Sequence, residues 1–399
     1  MNPTPAFAAP IPLEQAQARL LDAVQPLGAE IVATADADRR YLAQALSAHR
    51  TQPAADLSAM DGYAMRADDV SGPWRVVGES AAGHPFAGAL QAGEAIRIST
   101  GALMPAGGGA VLLQENAARA GDQLSLSGPD GPTARHIRRQ GFDFGAGDAL
   151  IGAGALINPQ RIAMALSAGV ARLQVGRLPS LAVIDSGDEL AADPQDCAAH
   201  QIPASNSAML AAMAAPLCAR IRRIGPVPDQ IDALLAALDQ AADCDVLVTT
   251  GGASVGDHDL MRPALQQWGA TIDFWRVALK PGKPLLVARR GGQVILGLPG
   301  NPVSSFVTAY LFLLPLLRKL AGSGRPLAQP LFLELAAPLP AVGDRMEFLR
   351  GSIEGGQVIP RDQQDSSALA SLAGAHCLIQ RPAGAPAAQR FEKIWVFPL

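Results

Sequence analysis

The run Thr249-Thr250-Gly251-Gly252-Ala253-Ser254-Val255-Gly256-Asp257-His258-Asp259 places glycines, a serine and two acids directly behind a short β-branched segment, Asp245–Thr249. That segment reads as the strand of a parallel sheet, and ligands of open α/β sheets gather where such strands end. Gly251, Gly252 and Gly256 carry no Cβ, so their backbone amides can converge on phosphate oxygens, with Ser254 among them. Asp257 and Asp259 are hard oxygen donors suited to a magnesium-type ion. The chemistry implied is anion and metal binding.

Further clusters repeat this theme. Leu279-Lys280-Pro281-Gly282-Lys283-Pro284 holds two ammonium groups, Lys280 and Lys283, on a rigid turn where they can pair with phosphate; a solvated hairpin is the plainer alternative. Pro299, Gly300, Asn301, Pro302 and Ser304 lead from a strand onto a helix N-terminus, whose free amides and dipole favour an anion. Asp188 and Glu189, in Asp185-Ser186-Gly187-Asp188-Glu189-Leu190, follow an earlier strand and belong on the same sheet edge as Asp257 and Asp259. These four acids suggest a metal site, whereas capping of the next helix would explain the first two without one. Nearer the N-terminus, Asp61 precedes Gly62 and Tyr63, Thr100 sits in the turn Ser99–Pro105, and Asp143 closes His136-Ile137-Arg138-Arg139-Gln140-Gly141-Phe142-Asp143. The last segment would equally suit a strand edge guarded by charge. The histidines are scattered, with no H-E-x-x-H and no pair at i, i+4, which leaves a zinc-protease site unsupported.

The elements that must hold these residues follow from periodicity. Apolar positions predict helices over 13–25 and 38–48, and a third over 159–168 capped by Asn158. Between them, short alternating segments with Gly and Pro turns predict a β-rich module. From 178 to 322 strands and helices alternate: strands at Leu181–Asp185, Arg220–Ile224, Asp245–Thr249 and Gln293–Leu298, with helices after Ser205, over 229–241, over 259–268 and from Asn301 to near Gly322. This is the pattern of a three-layer parallel α/β/α domain. Beyond Pro326 a small β domain is expected. The organisation is therefore residues 1–52 with 148–177 as a helical stalk serving dimerisation, 53–147 as an inserted β-rich domain, 178–326 as the α/β domain and 327–399 as a C-terminal β domain.

Composition narrows the partners. The chain has 399 residues, 17% of them charged, a formal net charge of −4 and no long basic run, so no global field draws it to nucleic acid. A polyanionic ligand would need a locally basic pocket. Its 4 cysteines lack C-x-x-C spacing, which favours reduced thiols in the cytoplasm over disulfides. The proline-rich N-terminus lacks a signal peptide's basic start, and the apolar run Ala309–Leu317 falls short of the roughly 20 residues of a membrane span. No membrane anchor is expected.

The segments SAMDGYA at 58–64, ISTGALMP at 98–105, IRRQGFD at 137–143, GDEL at 187–190, TTGGASVGDHD at 249–259, KPGKP at 280–284 and LPGNPVSS at 298–305 together resemble the molybdopterin molybdenumtransferase family, MoeA-like proteins that include the gephyrin E domain. Gln364–Leu369 resembles the family's Q-G-S-G-x-L with Asp365 in place of the first Gly, and Asp185 stands where relatives often have a small hydroxyl residue. The resemblance implies a molybdopterin-binding, MogA-like α/β domain, a C-terminal β-barrel and the last step of molybdenum cofactor biosynthesis. In that step molybdate enters adenylylated molybdopterin as its pyrophosphate is cleaved with Mg²⁺ and AMP leaves. Carried over, Asp188, Glu189, Asp257 and Asp259 would organise metal and adenylate. Asp61, Thr100 and Asp143 would line the molybdate and pterin side, meeting the first set across a homodimer. Lys280 and Lys283 would offset the anions. The resemblance also allows the molybdopterin adenylyltransferase as a partner, and leaves two other functions open: that adenylyltransferase activity itself, or a non-catalytic molybdopterin-binding scaffold.

Overall fold

Strands Arg220–Val227, Ser180–Ser186, Val246–Thr250 and Gln293–Leu298 lie side by side in that order and run parallel; Pro284–Arg290 and Thr271–Arg276 extend the sheet antiparallel. The structure is a computed structural model that describes residues 10–251 and 260–399. The three inner parallel strands are mostly apolar because both faces are covered, whereas the edge strand Arg220–Val227 carries Arg220, Arg222 and Arg223. Leu181, Val183, Val246, Val248 and Leu296 point into one core, shared with α1 (Leu13–Asp22), α3 (Asn206–Ala214) and α6 (Pro302–Leu320). Their neighbours Ala182, Ile184, Leu247 and Ile295 point the other way, into a core with α4 (Ile231–Gln240) and α5 (Met261–Gln267). The period-two alternation of the strands thus fills two helix layers, and the three-layer architecture follows.

α6 is 78% buried within the molecule, so its apolar length serves the core. It widens to a π-helical turn at Ala309–Leu313, just before Pro315. A proline inside a helix cannot donate to the carbonyl four residues back. That carbonyl belongs to Leu311, and Gln17 Nε2 of α1 donates to it at 2.8 Å. α1 is thereby fixed to α6, away from α2 (Pro159–Ser167), whose N-cap is Asn158 as expected, its side chain accepting the Arg161 N–H at 2.9 Å.

The helix expected over 38–48 is absent. Arg39 has a positive φ of 61°, and the chain beyond it is extended: Tyr41 bridges Leu156, Leu42 bridges Val175, and Leu46–Ser47 pairs with Ala149–Ile151. Leu42 and Leu46 still reach a common core with Ile157, Ala165 and Val175. Long-range strand pairing, such as Ala29–Ala33 against Arg172–Gly176, overrides local helical periodicity here.

Within 53–147, a six-stranded sheet carries the β-rich module. At the C-terminus five strands close on themselves: Met346–Glu354, Gln357–Pro360, Leu331–Leu335, Lys393–Pro398 and Cys377–Arg381, which pairs back with the first. Leu279–Lys280 joins this barrel in parallel, with Lys280 opposite Glu347. That pairing docks the lysine turn of the α/β domain against the barrel.

Candidate active site

At the carboxyl edge of the parallel sheet lies a crevice of about 400 Å³, lined among others by Asp185, Glu189, Asn206, Gly251, Pro299, Gly300, Asn301 and Pro302. Gly251 has φ +83°, and a Cβ there would fall 2.4 Å from Ser186 O, so only glycine lets strand 246–250 turn against its neighbour. Asn206 Nδ2 donates to Gly300 O at 2.7 Å, tying α3 to the turn that starts α6. Asp185 is 2% exposed; one carboxylate oxygen accepts the Ser207 N–H at 3.0 Å and the other the Thr250 hydroxyl. Asp188 Oδ1 accepts the Asp229 N–H at 3.1 Å, joining the Gly187–Glu189 turn to the approach to α4. Among the described residues, no lysine or arginine lines this crevice.

A second cavity, about 360 Å³, opens between the α/β domain and the barrel, and here the cations gather: Lys280, Lys283, Arg345 and Arg350, beside Ser304, Asp365 and Ser366. Gly282 adopts φ +109° with its Cα close over α6, where a Cβ would meet Thr308 at 2.5 Å, and this keeps both lysines on one tight turn. Lys280 Nζ donates to Glu347 Oε1 at 2.9 Å. Arg350 is 1% exposed; its guanidinium donates to the Gln363 and Asp365 carbonyls at 3.0 and 2.9 Å, and Nε has no protein partner. Burial pushes its pKa down, against the opposing charge of Asp365. A buried guanidinium bonded to carbonyls instead of a carboxylate keeps net positive charge in the cavity.

The two cavities share a wall. Pro284 lines both. Asn301 Nδ2 donates to Ser366 Oγ at 3.1 Å, and the α6 amide of Val303 donates to Ser366 O at 3.2 Å. Arg345, Arg350, Gln364 and Ser366 come from the C-terminal domain. The sequence signals there are the Gln364–Leu369 motif, which contains two of them, and the charged Arg350 inside the strand Met346–Glu354.

The β-rich module builds a separate cluster. Gly62, whose added Cβ would stand 1.9 Å from Leu112 O, is obligatory in its strand and places Asp61 at the strand's start. Asp61 Oδ1 accepts the Thr100 N–H at 2.6 Å, and this bond, with the Thr100 side chain next, holds the carboxyl below the ordinary aspartate value of 3.8. Ser58 binds the 98–105 turn through Gly101 N and Ala102 O, while Ala59 N donates to His136 O, so all three motifs of the module converge. Asp143 lies past the Gly141 turn, and its N–H donates to Gln52 O. No residue of this module lines either cavity described above.

Of the expected metal ligands, Glu189 lines the crevice and Asp188 sits beside it. Gly252, Ser254, Gly256, Asp257 and Asp259 lie outside the described residues. Among the described residues no three acids, histidines or cysteines cluster as a ready metal site.

Family models match the chain along most of its length: MoeA N-terminal region (domain I and II) at residues 11–169, a probable molybdopterin binding domain at 182–319 and MoeA C-terminal region (domain IV) at 333–397. The molybdopterin molybdenumtransferase of Haemophilus influenzae is 34% identical over 85% of this chain and 85% of its own. A molybdopterin molybdenumtransferase 2 of Mycobacterium tuberculosis is 33% identical over 83% of this chain and 85% of its own. Among solved structures, the molybdopterin biosynthesis moeA protein of Pyrococcus horikoshii superposes with a TM-score of 0.85 at 25% identity, covering 98% of this chain and 100% of that one.

Proposed function

The chain belongs to the molybdopterin molybdenumtransferase family, an enzyme family, and on that premise we propose that it inserts molybdate into adenylylated molybdopterin, with Mg²⁺-dependent cleavage of the pyrophosphate and release of AMP. The observation that carries this reading is the shared wall between the strand-end crevice and a cavity in which Lys280, Lys283, Arg345 and Arg350 converge. A chain of net charge −4 needs such a local reserve of cations to hold a pyrophosphate and an oxyanion together.

In this reading the cation-lined cavity takes the oxyanions, and Lys283 and Arg345 neutralise charge that grows on oxygen as the phosphate bond breaks. Arg350 positions the 363–366 loop so that Ser366 faces the same space. Asp188 and Glu189 are hard oxygen donors at the crevice, a pair that suits Mg²⁺, which commonly takes one or two carboxylates and completes its shell with substrate phosphates and water. When bound, the ion would offset phosphate charge. Asp61 and Thr100 lie on a module that lines neither cavity, which supports a homodimer whose partner copy brings them, with Asp143, to the substrate. The four unpaired thiols support a reducing compartment such as the cytoplasm.

The test is AMP release from adenylylated molybdopterin with molybdate present, with and without Mg²⁺. Turnover that requires both is the expected result. Tight binding of the substrate without AMP release would identify a scaffold instead.

A further inference from the structure

The strand-end crevice carries an anion of its own. α3 directs its N-terminus at this crevice, yet Ser205, the residue type that ordinarily caps such a helix, makes no side-chain capping bond. Asp185 does so from the neighbouring strand, accepting the N–H of Ser207 in the first turn at 3.0 Å. That amide is one of those a bound phosphate would use. The same carboxylate takes the Thr250 hydroxyl, and among the described residues no lysine or arginine lines the crevice to offset its charge. A second observation agrees: Asn206, 8% exposed in the same wall, leaves its Oδ1 without a partner. The wall thus offers acceptors, which suit the N–H groups of a heterocycle, while a phosphate brings only more acceptors and like charge.

We propose that Asp185 is a specificity-determining residue: an internal anion that fills the α3 N-terminus and repels metal-free phosphate from the crevice floor, so that phosphate not held by Mg²⁺ is steered to the cation-lined cavity. This deepens the reading above and rests on its premise that the surface takes a phosphorylated substrate.

The experiment removes the competing cations first. Full-length protein carrying Lys280→Ala and Lys283→Ala is titrated with inorganic pyrophosphate by calorimetry, without added metal, and compared with the same protein carrying Asp185→Ser or Asp185→Asn as well. Asp185→Ser should tighten pyrophosphate binding by about tenfold, the scale of an anion freed to use a helix N-terminus in a partly buried site. Asp185→Asn, which keeps the shape and drops the charge, should give part of that gain. Unchanged affinity in both variants, with circular dichroism matching the parent, would overturn the proposal; if the serine variant does not fold, the asparagine variant decides. Because bare pyrophosphate is the probe, this result is independent of turnover. A protein that failed to release AMP could still pass, and an active one could still fail.

Discussion

The strand-end crevice and the cavity beneath the barrel sit on either side of Asn301 and Pro284, yet they present opposite chemistry. The first is walled by Asp185, Glu189 and an unpaired Asn206 carbonyl, with no lysine or arginine among its described lining residues. The second gathers Lys280, Lys283, Arg345 and a buried Arg350. Parallel-sheet topology explains the first: strand ends and helix starts meet there, and the short polar residues that serve turns and caps cluster with them. The second exists because Leu279–Lys280 pairs with the barrel strand Met346–Glu354, which brings charged side chains from two domains into one space. The difference teaches that one substrate with an uncharged ring at one end and phosphates at the other can be held by segregated environments instead of one mixed crevice.

The largest effect expected from this division is at Lys283. Lys283→Ala should lower kcat/KM by about 10²-fold, the scale of removing one preorganised group facing developing charge. Asp188→Asn, on the other side of the wall, should respond to added Mg²⁺ where Lys283→Ala does not. Steady-state AMP release over a series of Mg²⁺ and molybdate concentrations separates the two. Equal Mg²⁺ responses would erase the distinction between the cavities.

Arg350 sharpens the comparison next. Removing one member of a buried polar set leaves its partners without their hydrogen bonds, which costs about 1 to 3 kcal/mol. Arg350→Met takes the donor from the Gln363 and Asp365 carbonyls and should therefore lower unfolding free energy by about 1 to 3 kcal/mol. It should also raise KM for molybdate about tenfold, since the two bonds from its guanidinium to the Gln363 and Asp365 carbonyls hold the loop that bears Ser366. Thermal unfolding with molybdate kinetics on the same samples tests both halves. A large loss of stability with unchanged KM would make Arg350 a core residue only.

Much of the first cavity was legible in the sequence. Buried parallel strands announce themselves as continuous apolar runs, and the Gly and Pro turns behind Thr250 and Leu298 mark where they end. The second cavity was half legible: the KPGKP turn stood out, but the residues that complete it lie in the C-terminal domain, and only the fold pairs Lys280 with Glu347, 67 positions later. The edge strand Thr271–Arg276 is hard to read because Asp273 and Arg276 interrupt its apolar pattern, as an edge tolerates, and Pro284–Arg290, paired between it and Gln293–Leu298, is a short apolar run directly behind the lysine turn. Periodicity misled at 38–48, where Leu42 and Leu46 reach their core along an extended chain. Asp185 could be flagged as a departure, but its capping of α3 depends on a contact 22 residues away that no local pattern encodes.

The smallest effect tests whether the two cavities are coupled at all. Asn301 Nδ2 and Ser366 Oγ form a 3.1 Å bond across the shared wall, near the surface. A bond of this kind contributes about 0.5 to 1 kcal/mol, so Asn301→Ala should reduce kcat/KM by roughly two- to fivefold. Ser366→Ala should do the same, and the double variant should cost little more than either single one, because each change removes the same contact. The backbone bond from Val303 N to Ser366 O remains in all three proteins and keeps the domains docked. Additive losses in this cycle would mean that the side chains act separately on their own cavities; sub-additive losses would mean that the wall itself aligns the ring-binding and phosphate-binding halves of the site.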